Sequence, residues 1–497
     1  MRFIKNVKKI VFSRISVCVL GIIIQVAYLS TLFWSLGTMF SYSYLVFTII
    51  ALALSIYIIN TATSSDYKLI WIFTILSFPL FGIMLYLFWG IHRNHTFCNT
   101  ADIRDHVPTF TNDDLYLRQA LYIANHCSTE IYKGNCIEYF KCGELLFPAM
   151  LDELKRAKEF IFLEFFILEH GVMWDSILSI LKAKADEGVD VRVIYDDMGC
   201  LLTLPRNYRA KLEDYGIKCC VYGRLKPFWS SNMNNRDHRK MLIIDGITAL
   251  TGGINLADEY INAYEKHGYW KDSAVILKGS GVNKFTEQFL RLWHILKQDH
   301  DPDINMYKIS YCTNISNVIV PFFDDPNDSE PLGRNVYINI LNSARKYVYI
   351  TTPYLIPDNE MLHSLSMAAK NGVDIRIITP KVPDKRIIQT VTRSYYRQLI
   401  KNGVKIFEFK PGFIHAKNIV CDDIVAVVGT VNLDFRSLYL HHECGVWIYN
   451  DNAVQNIIQD FNDTLRQCEK IELEQTSEKN LIKRCIKAIL KFFSPLL

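Results

Sequence analysis

Apolar segments without charged residues dominate the first ninety positions of the chain, and they cover residues 15–36, 44–59 and 69–90. A helix needs about 20 apolar residues to cross the hydrocarbon core of a bilayer. The first and third segments reach this length, and the second does so when its polar flanks are included. The pattern predicts two or three transmembrane helices, with a bend in the third at Pro79 and Gly82.

A polar linker is predicted to follow over residues 91–134, with one helix near residues 113–127. From residue 135, short apolar runs alternate with amphipathic stretches, and the alternation occurs twice. Two matched pairs carry the repeat: Ala157–Phe166 with Ala344–Pro353, and Gly188–Ile194 with Gly372–Ile378. Alternating strands and helices in a repeated order predict an α/β fold of two pseudo-symmetric lobes, each a mixed β-sheet flanked by helices.

The lobe boundary is predicted just before a turn-rich break at Asp324–Pro331. The predicted lobes therefore cover residues 135–320 and 321–476. Residues 477–497 are predicted to form a basic amphipathic helix in the membrane interface. The alternative is that this helix packs on the catalytic body.

The distribution of charge along the chain is more informative about partners than the net charge of +4. Residues 1–14 hold five basic side chains and no acid, and residues 478–497 hold five basic side chains against one acid. The part between is therefore net acidic, which argues against a nucleic-acid substrate. The basic ends favour an anionic membrane surface as partner.

Membrane orientation depends on the number of spans. The basic N-terminus is expected to stay inside, so three spans would place the body outside, and two spans with a re-entrant third would place it inside. A cleaved signal peptide is the alternative for the first segment, although no small-residue cleavage site ends it. The 13 cysteines show no C-x-x-C pair, which argues against a zinc site and suits a reducing compartment. We therefore predict a multi-pass protein of the cell membrane with its catalytic body on the cytoplasmic face.

One motif occurs twice in the predicted α/β body. Each copy reads H-x-K, four residues, D, six residues, then G-(G/T)-x-N. The copies are His238, Lys240, Asp245 and Asn255, and then His415, Lys417, Asp422 and Asn432. Six specified positions do not recur at one spacing by chance, so the two copies predict two halves of one site.

The residue types suit metal-free chemistry on a phosphodiester. A neutral imidazole can attack phosphorus, a second one can protonate the leaving alcohol, and Lys and Asn can stabilise the developing charge. On an extended strand, the His and Lys of H-x-K share one face, while Arg239 and Ala416 point away. Asp245 and Asp422 have two readings, a turn-forming aspartate after a strand or support for the neighbouring lysine.

These motifs resemble the phospholipase D superfamily, and bacterial cardiolipin synthases in particular. The similarity extends through Gly252–Asn262, Trp270–Asp272, Thr351–Tyr354 and Gly429–Ser437, and covers nearly the whole chain. One departure is the run from Leu440 to Glu443, Leu-His-His-Glu, where the family usually has Leu-Asn-aromatic-Glu.

The resemblance implies two phospholipase D-like lobes and the synthesis of cardiolipin from two molecules of phosphatidylglycerol, with no metal or other cofactor. It implies that His238 is the nucleophile and His415 the acid and base. The phosphate would be bound by Asn255, Asn432 and Thr430. Asp272 and Glu443 would orient the histidines, each expected to hold the histidine that it follows in the chain.

Other functions stay open on the sequence alone. A hydrolytic phospholipase D, another phosphatidyltransferase or a nuclease could use the same motifs. A non-enzymatic scaffold that binds anionic lipids is a further alternative, although binding alone needs no second histidine. The oligomeric state and the acyl-chain preference are left open.

Overall fold

The structure is a computed structural model that describes residues 38–61, 64–90, 115–224, 235–297, 304–309, 316–328 and 330–496, with the isolated residues 27 and 30. The chain divides into two compact units. One consists mainly of residues 1–95, and the other contains both motifs.

The N-terminal unit is helical where it is described. Its elements are α1 (Thr38–Ile59), α2 (Ser65–Ser77), α3 (Pro79–Leu85) and a π-helical turn (Tyr86–Gly90). Pro79 opens α3 directly after the end of α2, because proline lacks the amide hydrogen that would continue α2. The predicted bend in the third apolar segment is therefore confirmed.

Only part of the three predicted membrane spans lies within the described residues. Within the parts of the chain that the structure describes, no helix has both the length and the apolar character needed to cross a membrane. The third apolar segment is divided among α2, α3 and the π-helical turn. The first, residues 15–36, falls almost wholly outside the described residues.

The larger unit contains strands and helices in alternation. Up to residue 297 its elements are α4 (Leu115–His126), β1 (Tyr132–Lys133), β2 (Cys136–Phe140), α5 (Gly143–Arg156), β3 (Phe160–Phe165), α6 (Val172–Asp186), β4 (Asp190–Asp196), α7 (Tyr208–Glu213), β5 (Lys218–Tyr222), β6 (Arg236–Asp237), β7 (Lys240–Ile244), β8 (Thr248–Gly252), β9 (Tyr269–Lys271), β10 (Ala274–Lys278) and α8 (Val282–Lys297).

The second half continues in the same order. Its elements are β11 (Val318–Asp324), α9 (Leu332–Ser343), β12 (Tyr347–Thr351), α10 (Asn359–Lys370), β13 (Asp374–Pro380), α11 (Arg386–Lys401), β14 (Lys405–Phe409), β15 (Gly412–Ile414), β16 (Asn418–Cys421), β17 (Val425–Gly429), α12 (Phe435–Tyr439), β18 (His441–Tyr449), α13 (Asn452–Leu465), β19 (Cys468–Lys470) and α14 (Leu481–Phe492).

Two mixed sheets have the same internal topology. The first sheet runs β2-β10-β8-β7-β3-β4-β5, and the second runs β1-β11-β18-β17-β16-β12-β13-β14-β19. In each, a central strand (β3 or β12) has parallel strands on one side and antiparallel strands on the other. The predicted α/β repeat with mixed sheets and flanking helices is therefore confirmed.

Apolar packing joins the two sheets. Phe162 and Ile243 from the first sheet share one buried cluster with Val428 and Val446 from the second, together with Phe289 of α8. The outer face of the first sheet is covered by α5 and α6, and that of the second by α9, α10 and α11. This packing supports the strand ends that carry the two motifs.

The C-terminal helix α14 has features of both sequence interpretations, an amphipathic helix for the membrane interface and a helix packed on the body. It packs on the body through Leu490 and through Lys491, whose Nζ lies 4.1 Å above the ring of Tyr395. Its other apolar side chains, among them Leu481 and Ile482, are exposed. The predicted amphipathic helix is therefore present, with part of its apolar surface uncovered.

Candidate active site

Each His–Lys pair lies at the start of a buried strand. His238 precedes β7, which begins at Lys240, and His415 and Lys417 precede β16, which begins at Asn418. Both histidines are nearly buried, with exposed fractions of 8% and 7%. The Nζ of each lysine donates to the carbonyl of its own histidine. In the second motif Nζ of Lys417 also lies 2.8 Å from Nδ1 of His415, so this pair shares one face as the H-x-K spacing predicted.

Short parallel pairings connect each motif to the other half of the fold. Strand β6 pairs with the start of β18, and the amide of His238 donates to the carbonyl of His442 at 3.0 Å. Strand β15 pairs with β9, and the amide of His415 donates to the carbonyl of Lys271 at 2.7 Å. The two halves therefore exchange short strands at the site, so that each motif lies beside a strand from the other half of the fold.

This exchange decides which carboxylate meets which histidine. Nδ1 of His238 lies 2.9 and 3.0 Å from the two carboxylate oxygens of Glu443, and Nδ1 of His415 lies 2.7 Å from Oδ2 of Asp272. The expectation that each acid holds the histidine it follows in the chain is wrong, because the acids are crossed between the halves. In both pairs Nε2 is the nitrogen left free of the carboxylate.

The histidines are held in the neutral form. Burial lowers the pKa of His238 well below its usual value, and the positive charges of Lys240 and Lys417 lower it further. Burial and Lys417 lower the pKa of His415 to about 4, although Asp272 opposes them. Without a bound anion, both imidazoles are therefore neutral at pH 7.

The lysines are also perturbed. Burial lowers the pKa of Lys240 to about 8 and that of Lys417 to about 7, while nearby carboxylates oppose the shift. Burial would raise the pKa of Asp272, but Lys417 and His415 outweigh it and lower the pKa. Two lysines and two carboxylates thus occupy one buried cluster, where the charge of a further anion is weakly screened.

The two motif asparagines differ in their contacts. In Asn255 the amide nitrogen donates to the Tyr260 hydroxyl at 2.7 Å, and the oxygen accepts from the amide of Ile167 at 3.1 Å. In Asn432 the buried side-chain oxygen has no hydrogen-bond partner among the described residues. Asn432 therefore has an unused hydrogen-bond acceptor at the site, whereas Asn255 is engaged within its own lobe.

Thr430 is not placed to bind a phosphate. Its side-chain oxygen accepts from the amide of Cys444 at 2.9 Å and donates to the carbonyl of Cys444 at 3.2 Å. The expectation of phosphate binding is therefore not supported, because the hydroxyl extends the pairing of β17 with β18 by one residue.

Asp245 and Asp422 connect strands and do not contact the motif lysines. The carboxylate of Asp245 accepts from the amides of residues 158–160, and that of Asp422 accepts from the amides of residues 345–347. Both aspartates have positive φ, 50° and 53°. Of the two sequence interpretations, the turn-forming one fits these contacts, and support of the neighbouring lysine does not.

The Asp422→Asn variant should lose stability rather than catalytic competence. Its carboxylate also accepts from the hydroxyl of Tyr116, and hydrogen bonds to a charged group contribute about 1.5–3 kcal/mol each. Backbone amides and that hydroxyl lower the pKa of Asp422 against burial, so its contribution is present at neutral pH and is lost as the pH falls through the lowered pKa.

Thermal unfolding of this variant in detergent at pH 7 should show a clear fall in Tm, and the difference from the unsubstituted protein should shrink in acid. The matched control is Asp423→Asn, next to it on the exposed side of the turn. A full loss of activity at an unchanged Tm would place Asp422 in the chemistry.

Several residues at the site were not chosen from the sequence. Phe166 lies edge-on to His238 at 5.2 Å between ring centroids, and Tyr260 and Trp270 flank His415 at 5.5 and 5.3 Å. The ring of His441 lies 5.5 Å from that of His238. The only sequence feature that pointed to His441 was the departure from the family pattern at Leu440–Glu443. The aromatic residues beside the site belong to no motif of their own.

Comparison with known families gives two matches along the chain. The family described as "Cardiolipin synthase, PLD-like domain" matches residues 150–293 and 337–465, which hold both motifs. A second family, described as "Phospholipase_D-nuclease N-terminal", matches residues 49–90.

Similar proteins cover most of their own length and of this chain. A cardiolipin synthase from Clostridium perfringens is 32% identical over 86% of this chain and 93% of its own length. One from Alkalihalophilus pseudofirmus is 30% identical over 93% and 95%. An uncharacterised protein from Streptococcus mutans is 41% identical over 89% and 99%.

A solved structure shares the fold. The phosphatidylserine synthase of Haemophilus influenzae superposes with a TM-score of 0.59 at 15% identity, covering 77% of this chain and 100% of its own. At this identity the likeness concerns the fold alone.

Proposed function

Since the chain belongs to the cardiolipin synthase family of phospholipase D-like proteins, we propose that it is a cardiolipin synthase. It transfers a phosphatidyl group from one phosphatidylglycerol to a second and releases glycerol. The observation that carries the proposal is the crossed pair of buried histidines, each backed by a carboxylate from the other half of the fold.

The first step is attack on phosphorus by His238. Glu443 accepts the hydrogen bond from Nδ1–H, which leaves the lone pair on Nε2 available as nucleophile. The bond from phosphorus to the glycerol oxygen breaks, and His415 donates a proton to that oxygen. The product is a phosphatidyl-histidine and free glycerol.

The second step reverses the roles. The primary hydroxyl of the second phosphatidylglycerol loses its proton to His415 and attacks phosphorus, and the bond to His238 breaks. Holding both lipids in place can lower the barrier by about 7–11 kcal/mol. Lys240, Lys417 and Asn432 stabilise the charge on the non-bridging oxygens.

Binding of the phosphodiester favours protonation of His415, which then acts as the acid. The two lysines and two carboxylates balance in charge, so a monoanionic phosphodiester adds one negative charge beside His415. That charge raises the pKa of the imidazole from its low value and favours uptake of one proton. The acid form is therefore created in the complex that needs it.

The rate should fall as the pH rises through about 7, because Lys417 then loses its proton and its positive charge. The variant Lys417→Arg keeps its charge to much higher pH. The alkaline limb of the kcat/KM profile should therefore move upward in this variant, even if the maximum rate falls. An alkaline limb at the same pH in both proteins would show that Lys417 does not cause it.

We propose that residues 1–90 anchor the protein in the cell membrane and that residues 477–497 form the interfacial helix. The predicted linker, residues 91–134, is corrected in part, because α4 packs in the buried cluster of the second sheet and β1 pairs with β11. The predicted lobes, residues 135–320 and 321–476, are kept except at their boundary, which would cut through β11. The ten cysteines within the described residues are free, which supports a cytoplasmic body. Phosphatidylglycerol, cardiolipin and the bilayer are then the partners, and nucleic acid is not.

Helix α14 should add to membrane binding. Ile482 and Ile486 are 70% and 50% exposed, next to the basic residues of the same helix. The double variant Ile482→Glu and Ile486→Glu should weaken activity on vesicles that contain phosphatidylglycerol, because it removes apolar insertion and adds negative charge. Activity in detergent micelles should be retained.

Ile247→Glu is the matched control for this prediction, since Ile247 is 43% exposed in a turn elsewhere on the body. An equal loss of activity on vesicles in the double variant and the control would show that α14 does not contribute to membrane binding.

Product analysis tests the proposed function. The purified full-length protein is incubated with phosphatidylglycerol vesicles and a chelator, and the lipids are separated by chromatography. Cardiolipin with an equimolar amount of glycerol is the expected result, and added glycerol should drive the reaction backwards. Phosphatidic acid alone would identify a hydrolytic phospholipase D, and no change in any lipid would favour the scaffold.

A further inference from the structure

His441 stands beside the nucleophile without a hydrogen-bond partner. Its Nδ1 is 3.7 Å from Oε1 of Glu443, beyond hydrogen-bond reach. Among the described residues, neither of its ring nitrogens has a partner, although the side chain is only 11% exposed. An unpartnered polar group in such a place costs free energy, and its nitrogen lone pair is free for a ligand.

We propose that His238, His441 and Glu443 form a binding site for a zinc ion. The candidate donor atoms of these three residues lie within 4.8 Å of one another. Two imidazoles and one carboxylate are a ligand set that zinc accepts, and imidazole ligands favour zinc over magnesium or calcium. The fourth position is left to water.

The distances fit a tetrahedral ion after small side-chain rotations. Zinc bonds of about 2.0–2.1 Å place neighbouring ligand atoms about 3.3 Å apart. The separations from Oε1 of Glu443 are 2.9 Å to His238 and 3.7 Å to His441, which lie on either side of that value. Lys240 opposes a cation here, so we expect weaker binding than at a closed structural zinc site.

Zinc at this site inhibits the reaction, a consequence that rests on the proposed function. The nucleophile needs its proton on Nδ1 and its lone pair on Nε2. A zinc ion bound to Nδ1 of His238 moves that proton to Nε2, so the attacking nitrogen loses its lone pair. Zinc also takes up the carboxylate of Glu443 that orients the ring.

Metal binding is measured on the full-length protein in detergent, by titration of Zn²⁺ against a chromogenic chelator. One equivalent of zinc is expected in the unsubstituted protein. The variants His441→Asn and His441→Gln should weaken this binding at least tenfold. The control variant His363→Asn changes an exposed histidine on α10 and should bind as the unsubstituted protein does.

Cobalt(II) in place of zinc gives a second reading, because its visible absorption reports tetrahedral coordination. The spectrum should appear in the unsubstituted protein and be lost in the His441 variants, with circular dichroism showing that they fold. No bound zinc, or binding that is the same in both His441 variants as in the unsubstituted protein, would overturn the proposal.

Lipid turnover in the same preparations separates this inference from the proposed function. Zinc should inhibit the unsubstituted protein and the His363 variant, and inhibit the His441 variants at least tenfold less. Zinc binding that depends on His441, in a protein that makes no cardiolipin, would support the metal site and contradict the proposed function. Cardiolipin synthesis without zinc binding would support the proposed function and contradict the metal site.

Discussion

Alanine at His415 should lower kcat/KM for phosphatidylglycerol by about 10²–10⁴-fold, the range typical of a lost general acid and base. Alanine at His238 should leave no covalent intermediate at all, since Nε2 of His238 is the attacking atom in the proposed mechanism. The buried position of both rings means that no bulk solvent can replace them. Rapid quench of the unsubstituted enzyme with labelled lipid should leave the label on His238.

The control for both variants is His363→Ala, at an exposed histidine, which should be labelled and active as before. Label that survives in His238→Ala and disappears in His415→Ala would reverse the two roles. Inversion of configuration at a chiral phosphorus would exclude the double displacement, since two in-line steps must give retention.

Glu443→Gln and Asp272→Asn should each lower activity by about 10²–10⁴-fold but at different steps, because their carboxylates hold different histidines. A phosphodiester with a nitrophenol leaving group separates them, since nitrophenolate leaves without a proton. Asp272→Asn should then give a burst of nitrophenol followed by slow turnover, because only the second step still needs His415 as base. Glu443→Gln should give no burst, because the attack by His238 is impaired.

The reverse result, a burst with Glu443→Gln and none with Asp272→Asn, would mean that each acid serves the histidine it follows in the chain, or that the histidine roles are exchanged. Labelling of His238 in the same variants distinguishes these two explanations. Equal bursts in both would show that neither carboxylate orients the nucleophile.

Much of the fold is predictable from local pattern. The repeated alternation of apolar strands and amphipathic helices depends on residues close together in the chain, and it predicted both mixed sheets. The recurrence of H-x-K with a downstream asparagine predicted that His238 and His415 belong to one site, because each copy supplies only half of the groups needed. The helix at Leu481–Phe492 was readable from its own periodicity.

Membrane attachment is read from the sequence more than from the structure. The apolar segments predict an anchor, and the described residues contain no helix that meets the requirements of a span. Only the position of α14 on the body shows which of its apolar side chains are covered. Those that do not pack against α11 stay exposed.

The sequence by itself predicted the two His–Lys pairs, since chemistry on a phosphodiester needs such side chains and the chain repeats them at one spacing. Only the tertiary structure decided how they combine. Spacing along the chain suggested Asp272 with His238, but β6 pairs with β18 and β9 with β15, so each acid crosses to the other histidine. Strand pairing between distant segments depends on the packing of whole sheets, and no local pattern records it. The same crossing brings His441 beside His238. The pairing of β16 with β12 inside the second sheet brings Asp422 to the amide of Tyr347, some 75 residues earlier.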